Sequence, residues 1–193
     1  MAITAFFAII ASFFYIFASA IIWRKIQYHQ ATDIHGKIIK VATIATLLHA
    51  LALNNTLWLD QHIHFHLGNG LSLVALLASG ILLLTHLNKP TETLGIFVYP
   101  LAALSTLLPL TMDKPVELPL EIGSHVLISI AAYSIMGIAT AQAILYSIQE
   151  KNFKAKNLSK LMVSLPPLQI MESTLLQLLK IGFIFLTFAL ISG

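Results

Sequence analysis

Apolar residues run along this chain in long blocks separated by short polar stretches, without the three-and-four spacing of an amphipathic surface helix. A helix needs about 20 apolar residues to cross roughly 30 Å of hydrocarbon. Six blocks reach or approach that length, at approximately 3–22, 38–57, 68–86, 94–112, 122–148 and 173–193. The first lacks the basic leader and small-residue cleavage pattern of a signal peptide, so it reads as a retained helix. Pro90, Pro115, Pro119 and the pair Pro166–Pro167 fall between blocks, where a missing N–H does no harm. The pattern predicts an all-α fold, a polytopic transmembrane bundle of about six helices forming one domain over residues 1–193.

Composition agrees with the pattern. The chain is 58% hydrophobic and 10% charged, with a mean hydropathy of +0.86, where a soluble domain carries about 25% charged residues. It has no cysteine, which excludes disulfides, thiolate metal ligands and thioether attachment of haem to this chain. The net charge of +3 is topological. Arg24, Lys25, Lys37 and Lys40 lie between the first two blocks, Lys89 between the third and fourth, and Lys151, Lys154, Lys156 and Lys160 between the last two. The alternate connections hold only Lys114. Cationic loops stay on the cytoplasmic side, so the expected amino terminus is outside and the 58–67 loop faces outward. Basic residues placed this way flank membranes and give no support to nucleic-acid binding.

Small residues seven apart, Ala11 with Ala18 and Ser72 with Ser79, are expected to let helices approach closely in lipid. The carboxyl end reads as a truncation. After Lys180 only thirteen residues remain, about 20 Å of helix, so the chain is expected to stop within the bilayer unless Lys180 snorkels and the span starts near Ser173.

Ionisable groups inside membrane segments are functional candidates by default. His49, in "IATLLHALAL", lies roughly 12 Å below the outer end of its helix by helical rise; it either hydrogen-bonds a neighbouring helix or ligates a metal. His125, in "GSHVLISIAAYSI", opens the fifth block, with Tyr133 two turns deeper on nearly the same face. His125 is either an interfacial anchor or a ligand, and imidazole is a usual protein ligand of haem iron. Glu172 is expected in the first turns of the sixth helix, where a carboxylate suits the positive helix end. The triplet His62, His64 and His66 in "HIHFH" would share one side of an extended loop. A solvated outward loop is the favoured reading, ahead of adventitious zinc or copper, because about ten residues leave little room to fold around an ion. No phosphate loop, zinc-protease pair or dinucleotide fingerprint is present.

Three stretches taken in order, "LLHALAL" (47–53), "HVLISIAAYSIMGIATAQAILYSIQ" (125–149) and "LPPLQIMESTLLQLLKIGFIFLTFALISG" (165–193), resemble the cytochrome c assembly family. The bacterial inner-membrane YpjD/HemX-type branch, related to the CcsA and CcmC proteins, looks closest. The resemblance implies an eight-helix fold of which six helices are present, with non-covalent haem b as cofactor. It implies His125 and His49 as haem-iron ligand candidates, Tyr133 beside the haem, and a second outward ligand beyond Gly193. The chain departs from the tryptophan-rich haem platform of those relatives, having only Trp23 and Trp58.

The expected function is that of an integral membrane haem-binding protein supporting cytochrome c assembly or haem delivery. It would work beside other maturation proteins in a bacterial inner membrane, without a bond-making reaction of its own. The alternatives are a small-solute transporter or channel component with His49 on the pathway, and a structural subunit of a larger membrane complex.

Overall fold

Helices form where the six apolar blocks lie. A computed structural model describes residues 2–28, 34–59, 62–88, 92–112, 116–155 and 165–193. Asp60, Lys89, Pro90, Lys114, Pro115, Lys156 and Lys160 lie outside the described residues. The helices are α1 (Ala2–Tyr28), α2 (Ile34–Leu57), α3 (Leu67–Asn88), α4 (Gly95–Leu107), α5 (Leu120–Lys154) and α6 (Leu168–Ser192). All but α4 are long and apolar enough to cross a membrane. The 13 residues of α4 are extended by single 3₁₀ turns at Glu92–Leu94 and Leu108–Leu110. At about 2 Å per 3₁₀ residue and 1.5 Å per α residue the whole segment covers roughly 30 Å. The fold is an all-α polytopic bundle.

Several boundaries differ from expectation: α1 runs on to Tyr28, α2 starts at Ile34, α5 runs on to Lys154 and α6 starts earlier than residue 173. The sixth helix begins at Leu168, directly behind Pro167, because proline is tolerated where a helix starts and its N–H would be unpaired anyway. Its 25 residues span about 37 Å, long and apolar enough to cross a membrane. Lys180 sits midway along it, exposed. Glu172 consequently lies beyond the first turn and caps nothing; the first turn of α6 holds no acidic residue. The Pro166–Pro167 corner is tied instead to α5, whose Gln149 Nε2 donates to the Pro166 carbonyl at 3.1 Å.

The segment that carries His62, His64 and His66 is not simply a solvated coil. Trp58–Leu59 (β1) and His62–Phe65 (β2) form an antiparallel ribbon, and Val116–Leu118 (β3) from the α4–α5 connection pairs with the other edge of β2. Two linkers that must each satisfy their backbone groups do so against one another. The alternation of "HIHF" then does what a half-buried strand does: Ile63 points inward and is 1% exposed, packed with Leu53 and Leu57 at the end of α2. It sits against Gly123 of α5, where any side chain larger than hydrogen would meet Ile63 Cδ1 at 2.5 Å. That glycine lets the sheet rest directly on the helix.

The first four helices close a ring, α1 against α2 and α4, and α3 against α2 and α4, while α5 and α6 form a hairpin that meets the ring mainly through α3. On α1, Ala8, Ala11, Tyr15, Ala18 and Ile22 make a buried stripe at three-and-four spacing. It meets Ile38, Ala42 and Ala45 of α2 and Tyr99, Ala102 and Ala103 of α4. Ala11 and Ala18 are fully buried, as the seven-residue spacing predicts. The hairpin is close for a similar reason: Gly182 of α6 lies where a Cβ would meet Met136 Sδ at 2.7 Å. Ser192 at the end of α6 lies beside His125 in the second turn of α5, so α6 ends where the sheet lies.

Candidate functional site

The two membrane histidines have opposite surroundings. His49 is fully buried midway along α2. Its Nε2 lies 2.8 Å from Ser72 Oγ of α3, and its Nδ1 lies 3.3 Å from Tyr15 Oη of α1. Tyr15 Oη is 2.8 Å from Ser79 Oγ, which donates to the Ala75 carbonyl at 2.9 Å. One proton arrangement satisfies every group. Ser72 donates to Nε2, Nδ1–H donates to Tyr15, Tyr15 donates to Ser79, and Ser79 donates to its own helix backbone. Thr46 Oγ1 stands 3.4 Å from the Tyr15 hydroxyl, and the Tyr99 ring stacks on Tyr15 with centroids 5.8 Å apart. The result is a closed polar chain joining α1, α2 and α3. Both ring nitrogens of His49 are therefore engaged, so ligation of iron by His49 requires giving up the bond to Ser72 or to Tyr15.

His125 stands in the second turn of α5, half-buried at the sheet end. Its Nδ1 is 2.9 Å from Ser192 Oγ at the end of α6. The Ser192 hydroxyl also lies 3.0 Å from the Ala189 carbonyl of its own helix. His125 Nε2 has no hydrogen-bond partner among the described residues. Ile122, one turn earlier on α5, is 54% exposed. Tyr133 is 69% exposed, about 80° around the helix from His125. The structure thus places His125 and Tyr133 on one helix but on adjacent faces, and gives His125 and His49 no common partner.

The "HIHFH" triplet is divided. The backbone of His62 and His64 lies in β2, whereas His66 has turned to cap α3, its Nδ1 accepting the Asn69 N–H at 3.1 Å. Asn69, fully buried, donates from Nδ2 to the His64 carbonyl at 2.8 Å and accepts at Oδ1 from Thr56 at 3.1 Å. This locks the ribbon to both α2 and α3. Among the described residues no three His, Cys, Asp or Glu side chains converge to hold a metal ion.

Burial holds His66 below the usual imidazole pKa, and its cap role needs an unprotonated Nδ1. A native state that disfavours protonation loses stability as pH falls below the unfolded-state value of about 6.5. Thermal melts from pH 8 to 5 should show that loss in the natural chain and a shallower one in His66→Asn, which keeps a capping oxygen. His66→Ala should cost about 1 kcal/mol at pH 8. Equal pH slopes for the natural chain and His66→Asn would contradict the capping role.

Tyr15, Ser72, Ser79 and Asn69 escape the reading of the sequence as polar partners. For the serines the seven-residue spacing points to packing and does not reveal a hydrogen bond. For Tyr15 the signal is its place on the alanine stripe of α1, the face that must be buried.

No curated protein and no solved structure shows a significant match to the chain. A family model described as "Cytochrome C assembly protein" matches residues 1–193. That match spans the membrane helices, the sheet and both histidine sites, and the chain belongs to the cytochrome c assembly protein family.

Proposed function

We propose that the protein binds non-covalent haem b at its sheet end through His125 and hands it on in cytochrome c assembly. The observation that carries this reading is the state of the His125 ring. The Ser192 hydroxyl lies 2.9 Å from Nδ1 and orients the ring, leaving Nε2 without a hydrogen-bond partner among the described residues, the arrangement expected of an imidazole that ligates a metal through Nε2. The residues fit the group. An exposed apolar side chain, Ile122, lies one turn from His125 on α5, and the absence of cysteine makes attachment non-covalent. Bound haem would supply an iron that takes an imidazole nitrogen, and His125 would hold it. The chain itself binds and orients, and we assign it no bond-making step. His49 then braces the helices, and Tyr133 offers a hydroxyl on the neighbouring face. A small-solute path through His49 is less well supported, since the chain from Ser72 to Ser79 has no gap in it.

The reading places the chain in the YpjD/HemX-type branch, in a bacterial inner membrane, with partners among other maturation proteins. The sheet end would face outward, because nine of the eleven Lys and Arg lie in the connections at the opposite end. Reporter fusions after residue 155 should be active only as cytoplasmic reporters, and fusions at the amino terminus only as external ones. The reverse pattern would invert the map. Reduced and oxidised absorption spectra of protein purified from haem-replete cells should show a Soret band and a pyridine haemochrome of the b type. Protein free of haem under those conditions would favour the solute-transport reading.

A further inference from the structure

One side of α6 packs on its neighbours through Met171, Thr174, Leu178, Gly182 and Ala189. On the other side Leu176, Lys180, Phe183, Thr187 and Leu190 are exposed, at the three-and-four spacing of a single helical face. Exposed apolar side chains there suit lipid. Lys180 does not.

Lys180 stands twelve residues from each end of α6, about 18 Å from either. The packing gives the same depth. Two residues on, Gly182 lies against Met136 and Ile135, close to the midpoint of α5. Headgroups begin about 15 Å from the middle of the hydrocarbon. A four-carbon lysine stem reaches only roughly 6 Å, so the ammonium cannot snorkel to water from there. Charged groups at such depth are rare, and nearly all face a partner and not lipid. Gln177, one turn earlier, is exposed as well, which puts a second polar side chain near the same level.

The chain offers Lys180 no counter-charge. It makes no hydrogen bond or ion pair among the described residues. On its own helix, Glu172 is eight residues earlier, about 12 Å away along the axis. Glu121 and Glu150 lie near the ends of α5, and the other five of the eight Asp and Glu fall between helices in the sequence. A second copy of the chain would therefore bring no carboxylate to mid-depth. A parallel pair meeting through this face would set Lys180 against Lys180.

We infer that this face of α6 docks a transmembrane helix of a different membrane protein, one that carries an Asp or Glu near its centre. The carboxylate pairs with Lys180, Gln177 supplies a further interhelical hydrogen bond, and Leu176 and Phe183 pack beside them. An anionic lipid cannot take that place, because its phosphate stays at the headgroup level. The surface does not include His125 and stands or falls independently of haem binding.

The test measures energy transfer in phosphatidylcholine vesicles between the purified full chain, donor-labelled at its amino terminus, and acceptor-labelled single-span Leu–Ala peptides. The peptides carry Glu, Leu or Lys at the central position. The natural chain should bind the Glu peptide about tenfold more tightly than the Leu peptide, the order of one interhelical polar contact in lipid. Lys180→Leu should lose that preference, and Lys180→Glu should prefer the Lys peptide. Both variants should keep the helical circular dichroism of the natural chain. Equal binding of the three peptides by the natural chain, or a preference for Glu that survives in Lys180→Leu, would overturn the proposal. A preference abolished by added phosphatidylglycerol would assign the lysine to lipid headgroups and overturn it too. So would transfer between donor- and acceptor-labelled natural chains that Lys180→Leu abolishes, since the face would then serve self-association.

Discussion

His49→Ala should destabilise the protein by about 3–5 kcal/mol, the largest effect of any single substitution within the ring. The change removes two interhelical hydrogen bonds, each worth roughly 0.6–2 kcal/mol in a bilayer. It also opens a cavity at a fully buried position, which adds about 2 kcal/mol or more. Tyr15→Phe should cost about 1–2 kcal/mol on the same scale. Because both side chains belong to one proton chain, the double variant should lose less than the sum of the two. Equilibrium unfolding in detergent measures all three. Additive losses, or a His49→Ala penalty below about 0.5 kcal/mol, would mean that the chain from Ser72 to Ser79 does not hold α1, α2 and α3 together.

How much of this was legible in the sequence follows from the physics of each feature. The six helices are visible because hydrocarbon imposes length and composition on anything that crosses it, and each block meets that demand by itself. Their ends are less visible. Leu168–Ser173 carries polar residues in "LQIMES" and looks like a linker, yet proline at its head starts a helix there, and the polar face turns outward. The sheet was hidden because its two parts lie some fifty residues apart, and "VEL" has no meaning as a strand until "HIHF" is beside it. The reading of His49 stayed open between hydrogen bonding and ligation, since the choice depends on residues of two other helices. Lys180 is plain as a charge in an apolar block, but its place at mid-depth follows only from the start of α6 at Leu168. His125 is intermediate. Its position at a helix start is plain in the sequence, but the hydroxyl that orients its ring comes from Ser192, sixty-seven residues on.

The claim that function centres on the sheet end rests on one imidazole, and the Soret band of His125→Ala measures it most directly. His125 is half-buried and makes one hydrogen bond, so the variant should keep the helical circular dichroism and the melting profile of the natural chain. Ser192→Ala should retain haem but bind it roughly ten- to a hundredfold more weakly, as expected when the residue orienting a ligand is lost. Replacing His64 by Gln should leave the band intact, since the contacts of the His125–Ser192 pair do not include it. The account predicts that His125→Ala, purified folded from haem-replete cells, loses the Soret band or most of it. A folded His125→Ala protein with the Soret amplitude of the natural chain would contradict it.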